Sequence, residues 1–505
     1  MRFALKNRLK AIHQTSSGSK YRCLNSPFVP VPKTVRMLIV VLAICYGIGT
    51  SVGAFVFIEV DLGIKALFVT GNVFYIFTLL FPLLVYRKEF GYCHPLIFAS
   101  LFALAMMAIR KTGILIYGLE SHLALPQWSQ SELIMLMCYG KFLMTCSIWM
   151  IFAGYFWGPR YRVPQMKFPK RPNNHFMSVV IVTGAISLLA CFLYVKDGGG
   201  ILNFISGMTK GVTYLLNSDN FVGLGQYIVP MRFLALTALI WISLDKKALS
   251  NPFVVGIAIL GVFLSYLGAG KRSGPILMII GMGVGWIMRN RKFPFVRAST
   301  TGICLFMILG LLGLFRTTNW EKAGDFDFDF IDSLTPTVVV ETTLSELKTR
   351  AADESMYYAV LANVPGKEDL LLGRSYLQNF FRFIPRVLWE DKPRGIGVLA
   401  NSTFLGGNTS MPVGGVGEAY WNFHIPGVFI VFFLVGSGYR WLVGLVVTHP
   451  NSPAVRVIFI LALLHFGPAQ NQITYCVQYG IPTLCILFMM GLIKFPRRQP
   501  ISAKK

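Results

Sequence analysis

Charge is scarce in this 505-residue chain, and negative charge is scarcest: 14% of residues are charged, and 22 Asp and Glu stand against 47 Lys and Arg. A soluble domain carries roughly 25% charged residues. The nine cysteines form no CxxC pair, and all but Cys23 lie in or beside apolar runs. No disulfide framework or CxxC metal site is readable from them. Strand-like alternation is missing, which argues against a membrane β-barrel. No internal repeat and no separate soluble domain stands out. A polar and basic segment, residues 1–36, precedes the first apolar run, so a cleaved signal peptide is not expected.

What the chain has is apolar length. Residues of hydrophobic type make up 54%, and the mean hydropathy is +0.59. About a dozen runs of roughly 15–25 apolar residues recur, long enough to cross a bilayer. They predict an all-α polytopic membrane protein with spans near 37–58, 66–86, 95–117, 133–157, 176–195, 227–244, 252–267, 275–288, 300–315, 423–447, 455–466 and 481–493. About twelve transmembrane helices place both termini and every strongly basic loop on one side, as the positive-inside bias requires. The net charge of +25 then needs no nucleic-acid partner. Residues 1–36 hold Arg2, Lys6, Arg8, Lys10, Lys20, Arg22, Lys33 and Arg36 and no acid. They read as a cytoplasmic, lipid-facing segment, with a transit peptide as the alternative. Residues 494–505 read as a cytoplasmic tail.

A long segment, 316–412, separates the ninth and tenth spans, and the count puts it outside the cytoplasm. It holds 13 of the 22 acids, split unevenly. Residues 316–369 carry 11 acids and 5 bases and read as a solvated surface with one amphipathic helix, 341–361, ending before Pro365. Asp325, Asp327 and Asp329 lack the Gly and terminal Glu of a calcium loop, so a solvated face is the better reading.

Beyond residue 370 the sign reverses. Arg374, Arg382, Arg386, Lys392 and Arg394 face only Glu390 and Asp391. Arg232, Lys271, Arg272 and Arg316 fall at the same, outer ends of the sixth to ninth spans. Cations there oppose the orientation bias, and charges at membrane depth are functional by default. Arginine forks match phosphate oxygens and keep their charge, so their convergence points to an anionic, lipid-linked substrate such as a pyrophosphate. Headgroup snorkelling is the bland alternative for any single one. GAGKRSG (268–274) is not a P-loop: Ser265 stands where the first Gly would be, and Arg272 follows Lys271.

GEAYWNFHIPG (417–427) leads into the tenth span. Its Glu418 is a candidate to orient or deprotonate a sugar hydroxyl, with His465 second and His424 third. The plainer reading is an interfacial belt of Tyr420, Trp421 and Phe423 with Glu418 paired to an arginine.

GRS at Gly373–Ser375, the stretch from Pro385 and Arg386 to Pro393, GGVGEAYWNFHIPG and the GxxKRSG turn together resemble the O-antigen polymerases, the Wzy-type repeat-unit polymerases of bacterial envelopes. The resemblance covers about residues 230–440. His424 departs from it, since relatives commonly carry Gly after the Asn-Phe pair.

The resemblance implies a GT-C-like glycosyltransferase of the bacterial inner membrane that needs no metal or cofactor. It would move a growing glycan from polyprenyl pyrophosphate onto a new lipid-linked repeat unit, beside a flippase and a chain-length regulator. Arg272, Arg316, Arg374 and Arg386 would hold the pyrophosphate, with Arg232, Lys271, Arg382, Lys392, Arg394, Tyr420 and Asn422 completing the substrate site. Arg386, Glu418 and His465 are the catalytic candidates.

An O-antigen ligase shares the donor but not the acceptor. A metal-dependent GT-C enzyme could use Glu59 and Asp61, although their loop is short. A lipid-linked glycan transporter would show inverted repeats, and none is visible.

Overall fold

The computed structural model describes residues 27–87, 90–117, 128–159, 176–197, 234–245, 250–256, 273–294, 354–381, 393–407, 410–465 and 480–494, with isolated positions between them. Among the described residues the chain is helical, with no strand beyond the single bridge Pro30–Gly91. In order the helices are α1 (Lys33–Phe57), α2 (Leu62–Leu84), α3 (Pro95–Tyr117), α4 (Gln130–Trp157), α5 (Phe176–Asp197), α6 (Leu234–Leu244) and α7 (Ser273–Asn290). There follow α8 (Ser355–Asn363), α9 (Arg374–Phe380), α10 (Ile396–Phe404), α11 (Gly414–Thr448), α12 (Pro453–His465) and α13 (Ile481–Met489).

Four helices, α1, α2, α4 and α11, are long and apolar enough to cross a membrane, and shorter apolar segments fall at Pro95–Ala105, Met177–Leu193, Leu234–Leu244, Leu277–Asn290 and Pro453–His465. Leu38, Val41, Leu42, Ile48 and Val52 of α1 are exposed. An apolar face of that length on a free helix is a lipid-facing face. The protein is membrane-embedded and all-α; the expected spans at 252–267 and 300–315 lie largely outside the described residues.

Local chemistry starts the helices. Ser129 and Glu132 form a capping box on α4, with Glu132 Oε2 accepting from the Ser129 N–H at 2.8 Å. The Asp61 carboxylate accepts from the Gly63 N–H at 2.8 Å, which makes it the N-cap of α2. Half of the Glu59–Asp61 pair weighed as a metal site is therefore a helix cap.

The most extensive interface joins α4 and α11. They run parallel, from the Tyr139–Tyr420 ring pair at one end to Arg440 at the other, where its guanidinium donates to the carbonyls of Gly158 at 2.7 Å and Phe156 at 3.3 Å. Arg440 thereby satisfies and charge-matches the C-terminus of α4. Between these ends two glycines let the backbones touch. A Cβ on Gly154 would run into the Phe433 carbonyl oxygen, and one on Gly436 into that of Ile151. Small residues at a helix crossing are how helices associate without a hydrophobic gradient between protein and lipid.

The Arg440 end is knitted together by residues 27–32, 85–87 and 90–94. The Val31 N–H donates to Tyr86 Oη at 2.8 Å, and the Arg36 guanidinium lies over the Tyr86 ring. His94 accepts the Leu96 N–H on Nδ1 and meets Tyr155 Oη through Nε2 at 2.9 Å. Burial pushes its imidazole down to about 3, so it stays neutral. Arg87 and Arg291 gather at this end as well.

The other end holds α8, α9 and α10. Here one expectation is corrected. The composition of residues 316–369 predicts a solvated surface, but α8 is buried from Ser355 to Leu361. Tyr357 Oη donates to the Gly140 carbonyl of α4 at 2.9 Å, and burial holds that phenol well above its usual range, so it remains a donor. The helix does end before Pro365, as expected. Residues 342–353 of the expected helix, and Asp325, Asp327 and Asp329, lie outside the described residues.

Leu at Gly154 or Gly436 is expected to lower the thermal stability of the detergent-purified protein. Forced overpacking typically costs about 1–3 kcal/mol. Gly438, with nothing near its would-be Cβ, is the control, and Gly438→Ala should leave the melting temperature unchanged. Equal melting of all three variants would mean that the α4–α11 contact is not close-packed.

Candidate functional site

The site grows from a break in α11. At Phe423 (φ −141°, ψ 20°) and His424 (φ 55°, ψ −150°) the backbone leaves the helix, which resumes after them with Pro426 in its new first turn. The break strands two carbonyls. The Asn422 carbonyl would pair with the N–H of residue 426, which is proline and has none. The Trp421 carbonyl faces the distorted turn.

Buried carbonyls must be satisfied, and residues 369–375 do this. The N–H of Leu371 donates to the Trp421 carbonyl at 3.0 Å, and that of Leu372 to the Asn422 carbonyl at 3.1 Å. Trp421 Nε1 returns a bond to the Asp369 carbonyl at 3.2 Å. To lie along the broken helix the segment turns through positive φ at Leu372 (48°) and Gly373 (87°). Gly373 is the glycine of the GRS stretch, and glycine takes that conformation without strain.

Side chains then lock the turn. Asn422, fully buried, accepts the Gly373 N–H on Oδ1 at 2.9 Å and donates through Nδ2 to Ser375 Oγ at 2.7 Å and to the Glu418 carbonyl at 2.7 Å. Ser375 Oγ in turn donates to Glu418 Oε1 at 2.7 Å. Among the described residues, the partner of Glu418, which is 1% exposed, is this hydroxyl; the candidate arginines Arg232, Arg272, Arg316, Arg382 and Arg386, with which a pairing is the plainer expectation, lie outside the described residues. Tyr376 stacks on Phe423 with ring centroids 6.3 Å apart; burial, then the Glu418 carboxylate, hold its phenol above its usual range.

The expected aromatic belt is also revised. Tyr420 and Trp421 are buried, and only Phe423 is exposed. Tyr420 Oη donates to the Val364 carbonyl at 3.3 Å and pairs with His424 Nε2 at 2.9 Å. His424 occupies the positive-φ position where glycine stands in the resembled pattern, and its bond to Tyr420 helps hold a non-glycine residue there.

Of the candidate cations, Arg374 and Arg394 are described. Both are exposed, and their guanidinium groups make no bond among the described residues. The Gln378 side chain, one turn beyond Arg374, donates to the Pro393 carbonyl at 2.7 Å and so draws Arg394 to the α9 side. Arg232, Lys271, Arg272, Arg316, Arg382, Arg386 and Lys392 lie outside the described residues. His465 is buried at the end of α12, and no described contact joins it to Glu418.

The structure thus brings together Gly373, Ser375, Glu418 and Asn422 beneath the exposed Arg374. Ser375 was named in the sequence only as part of a motif. Its pairing with Glu418 spans 43 residues and leaves no local signal. No family model, curated protein or solved structure matches the chain.

Removing Asn422 or Ser375 leaves buried partners unsatisfied, which costs about 1–3 kcal/mol for each such group. Asn422→Ala and Ser375→Ala should therefore melt lower than wild type. At His424, valine, a β-branched residue at positive φ, should destabilise more than glycine. Thermal melting of purified variants decides; His424→Val melting with or above His424→Gly would contradict the strain argument.

Proposed function

We propose that the chain is a membrane glycosyltransferase of the O-antigen polymerase type, acting on polyprenyl-pyrophosphate-linked oligosaccharide repeat units at the outer face of the bacterial cytoplasmic membrane. The observation that carries it is the meeting of two resembling stretches in one buried cluster. Ser375 of GRS donates to Glu418 of GEAYWNF, and the neighbouring Arg374 is left exposed at the surface of that cluster. The basic end marked by Arg36, Arg87, Arg291 and Arg440 supports placing the opposite end outside, by the positive-inside bias.

In this reading an acceptor hydroxyl on the incoming repeat unit attacks the anomeric carbon of the donor glycan. The bond from that carbon to the pyrophosphate oxygen breaks, and polyprenyl pyrophosphate leaves with the electron pair. Arg374, with Arg272, Arg316 and Arg386, offsets the charge that builds on the leaving oxygen. The hydroxyl proton passes to a base. Both lipid-linked partners are held at one depth by the membrane, which raises their effective concentration.

Glu418 enters as a positioning residue for the Arg374 turn, because its Oε1 already accepts from Ser375 and its side chain is buried. The other function considered for it is the base itself. A glutamine keeps the accepting oxygen but cannot take a proton at neutral pH, so Glu418→Gln separates the two.

In cells lacking the native gene, wild-type chain should restore a long glycan ladder, while Arg374→Ala, Arg386→Ala and Arg272→Ala, expressed at normal levels, should yield single-unit caps. Glu418→Gln should keep the ladder if it positions and lose it if it is the base. Full-length glycan from the arginine variants would remove them from the mechanism. Accumulation of lipid-linked polymer in the deletion would point to a ligase, and accumulation of lipid-linked single units on the inner leaflet would point to a transporter.

A further inference from the structure

The surface around α9 carries a feature that glycosyl transfer does not require. Leu372, Leu377, Phe380 and Leu388 are 70%, 59%, 57% and 78% exposed. Phe381 and Trp389 are exposed beside them, their rings meeting edge-on with centroids 5.6 Å apart. Within α9 the inward positions are polar or half-buried: Ser375 is buried, and Gln378 and Asn379 are tied by hydrogen bonds to Pro393 and Ser375. The outward positions are Arg374, Leu377, Phe380 and Phe381. The helix is thus reversed relative to a soluble surface helix, whose apolar side faces the core.

Two observations say what covers this face. It is continuous with the lipid-facing surface: a Cβ on Gly373 would lie 3.2 Å from the Phe423 ring, Phe423 is itself exposed, and Ile430 and Leu434 continue the exposed apolar side of α11. It is also flanked by Arg374 and Arg394, both exposed with guanidinium groups unbonded among the described residues. Large apolar side chains pointing outward with arginines beside them are the marks of an interfacial element.

We propose that α9, with Leu372, Phe381, Leu388 and Trp389, lies in the bilayer interface. Its apolar side chains enter the acyl boundary, and Arg374 and Arg394 rest against the phosphates of anionic phospholipids. The element would then fix the depth of Arg374 in the membrane. This rests on the membrane-embedded helices and the exposed face, not on the glycosyltransferase reading.

The test uses the full-length chain with p-benzoylphenylalanine encoded at one position, Leu377, Phe380, Leu388 or Leu434. Each protein is reconstituted in phosphatidylethanolamine–phosphatidylglycerol vesicles with either lipid radiolabelled, and irradiated. Leu434, on the lipid-facing side of α11, is the positive control. Lipid label on Leu377, Phe380 and Leu388 comparable to that on Leu434 is expected. Label on Leu434 alone, or a shift of the α9 positions into a dimer band marking a second copy as the occupant, would overturn the proposal. The headgroup half is read separately. Reversing the charge in Arg374→Glu with Arg394→Glu should lower the ratio of phosphatidylglycerol to phosphatidylethanolamine label at Leu377 by roughly fivefold or more. An unchanged ratio would refute the arginine–phosphate contact.

Discussion

Two stranded carbonyls organise the end of this protein that holds the candidate site. A helix in a membrane must satisfy its backbone internally, because lipid offers no hydrogen-bond partner. α11 breaks at Phe423 and His424, and Pro426 supplies no N–H where the Asn422 carbonyl would seek one. The N–H groups of Leu371 and Leu372 fill both vacancies. Everything that follows in the chain inherits its position from that repair: the positive-φ turn at Gly373, the bond from Ser375 to Glu418, and the start of α9 at Arg374. A continuous α11 would have no reason to bind residues 369–375.

The repair also needs a rigid base. The α4–α11 contact through Gly154 and Gly436 provides it, and α8 braces the same pair from the side through Tyr357 and the Gly140 carbonyl. At the far end Arg440 closes α4. The break is therefore held at a fixed height on a close-packed pair of helices, and Arg374 is one residue from a fully hydrogen-bonded serine. Arg394 is placed, among the described residues, through the bond from Gln378 to Pro393. Of the two described cations, Arg374 has the better defined geometry.

Much of the scaffold was legible in the sequence because apolar length is a strong signal. Runs near 66–86, 133–157 and 423–447 became α2, α4 and the long arm of α11. Pro365 marked the end of α8 correctly. The burial of α8 was missed for a physical reason: its apolar core, Met356–Leu361, was read inside an acidic half-loop whose composition masked it. The break at His424 was hidden because a histidine, not a glycine, occupies the positive-φ position. The link from Ser375 to Glu418 could not be read at all, since nothing local to either residue announces a partner 43 positions away. The motifs were visible; what joined them was a backbone requirement.

That requirement bears on how Glu418 should be regarded. A carboxylate chosen only as a base would gain from access to the substrate hydroxyl, since proton transfer needs hydrogen-bond reach. Glu418 is instead 1% exposed and engaged by Ser375, whose hydroxyl is also held by Asn422. In the proposed mechanism Oε1 is already taken by the Ser375 hydroxyl, so a proton would go to Oε2, and neutralising the carboxylate would weaken the charge-assisted bond that maintains the Arg374 turn just when charge builds on the leaving group. The two tasks compete if one residue performs both. A division of labour avoids the conflict: Glu418 holds the turn, and a group on another element accepts the proton. On the proposed function, the arginine side of the site and the acceptor side would then be built on separate parts of the chain, and the break in α11 would organise the first.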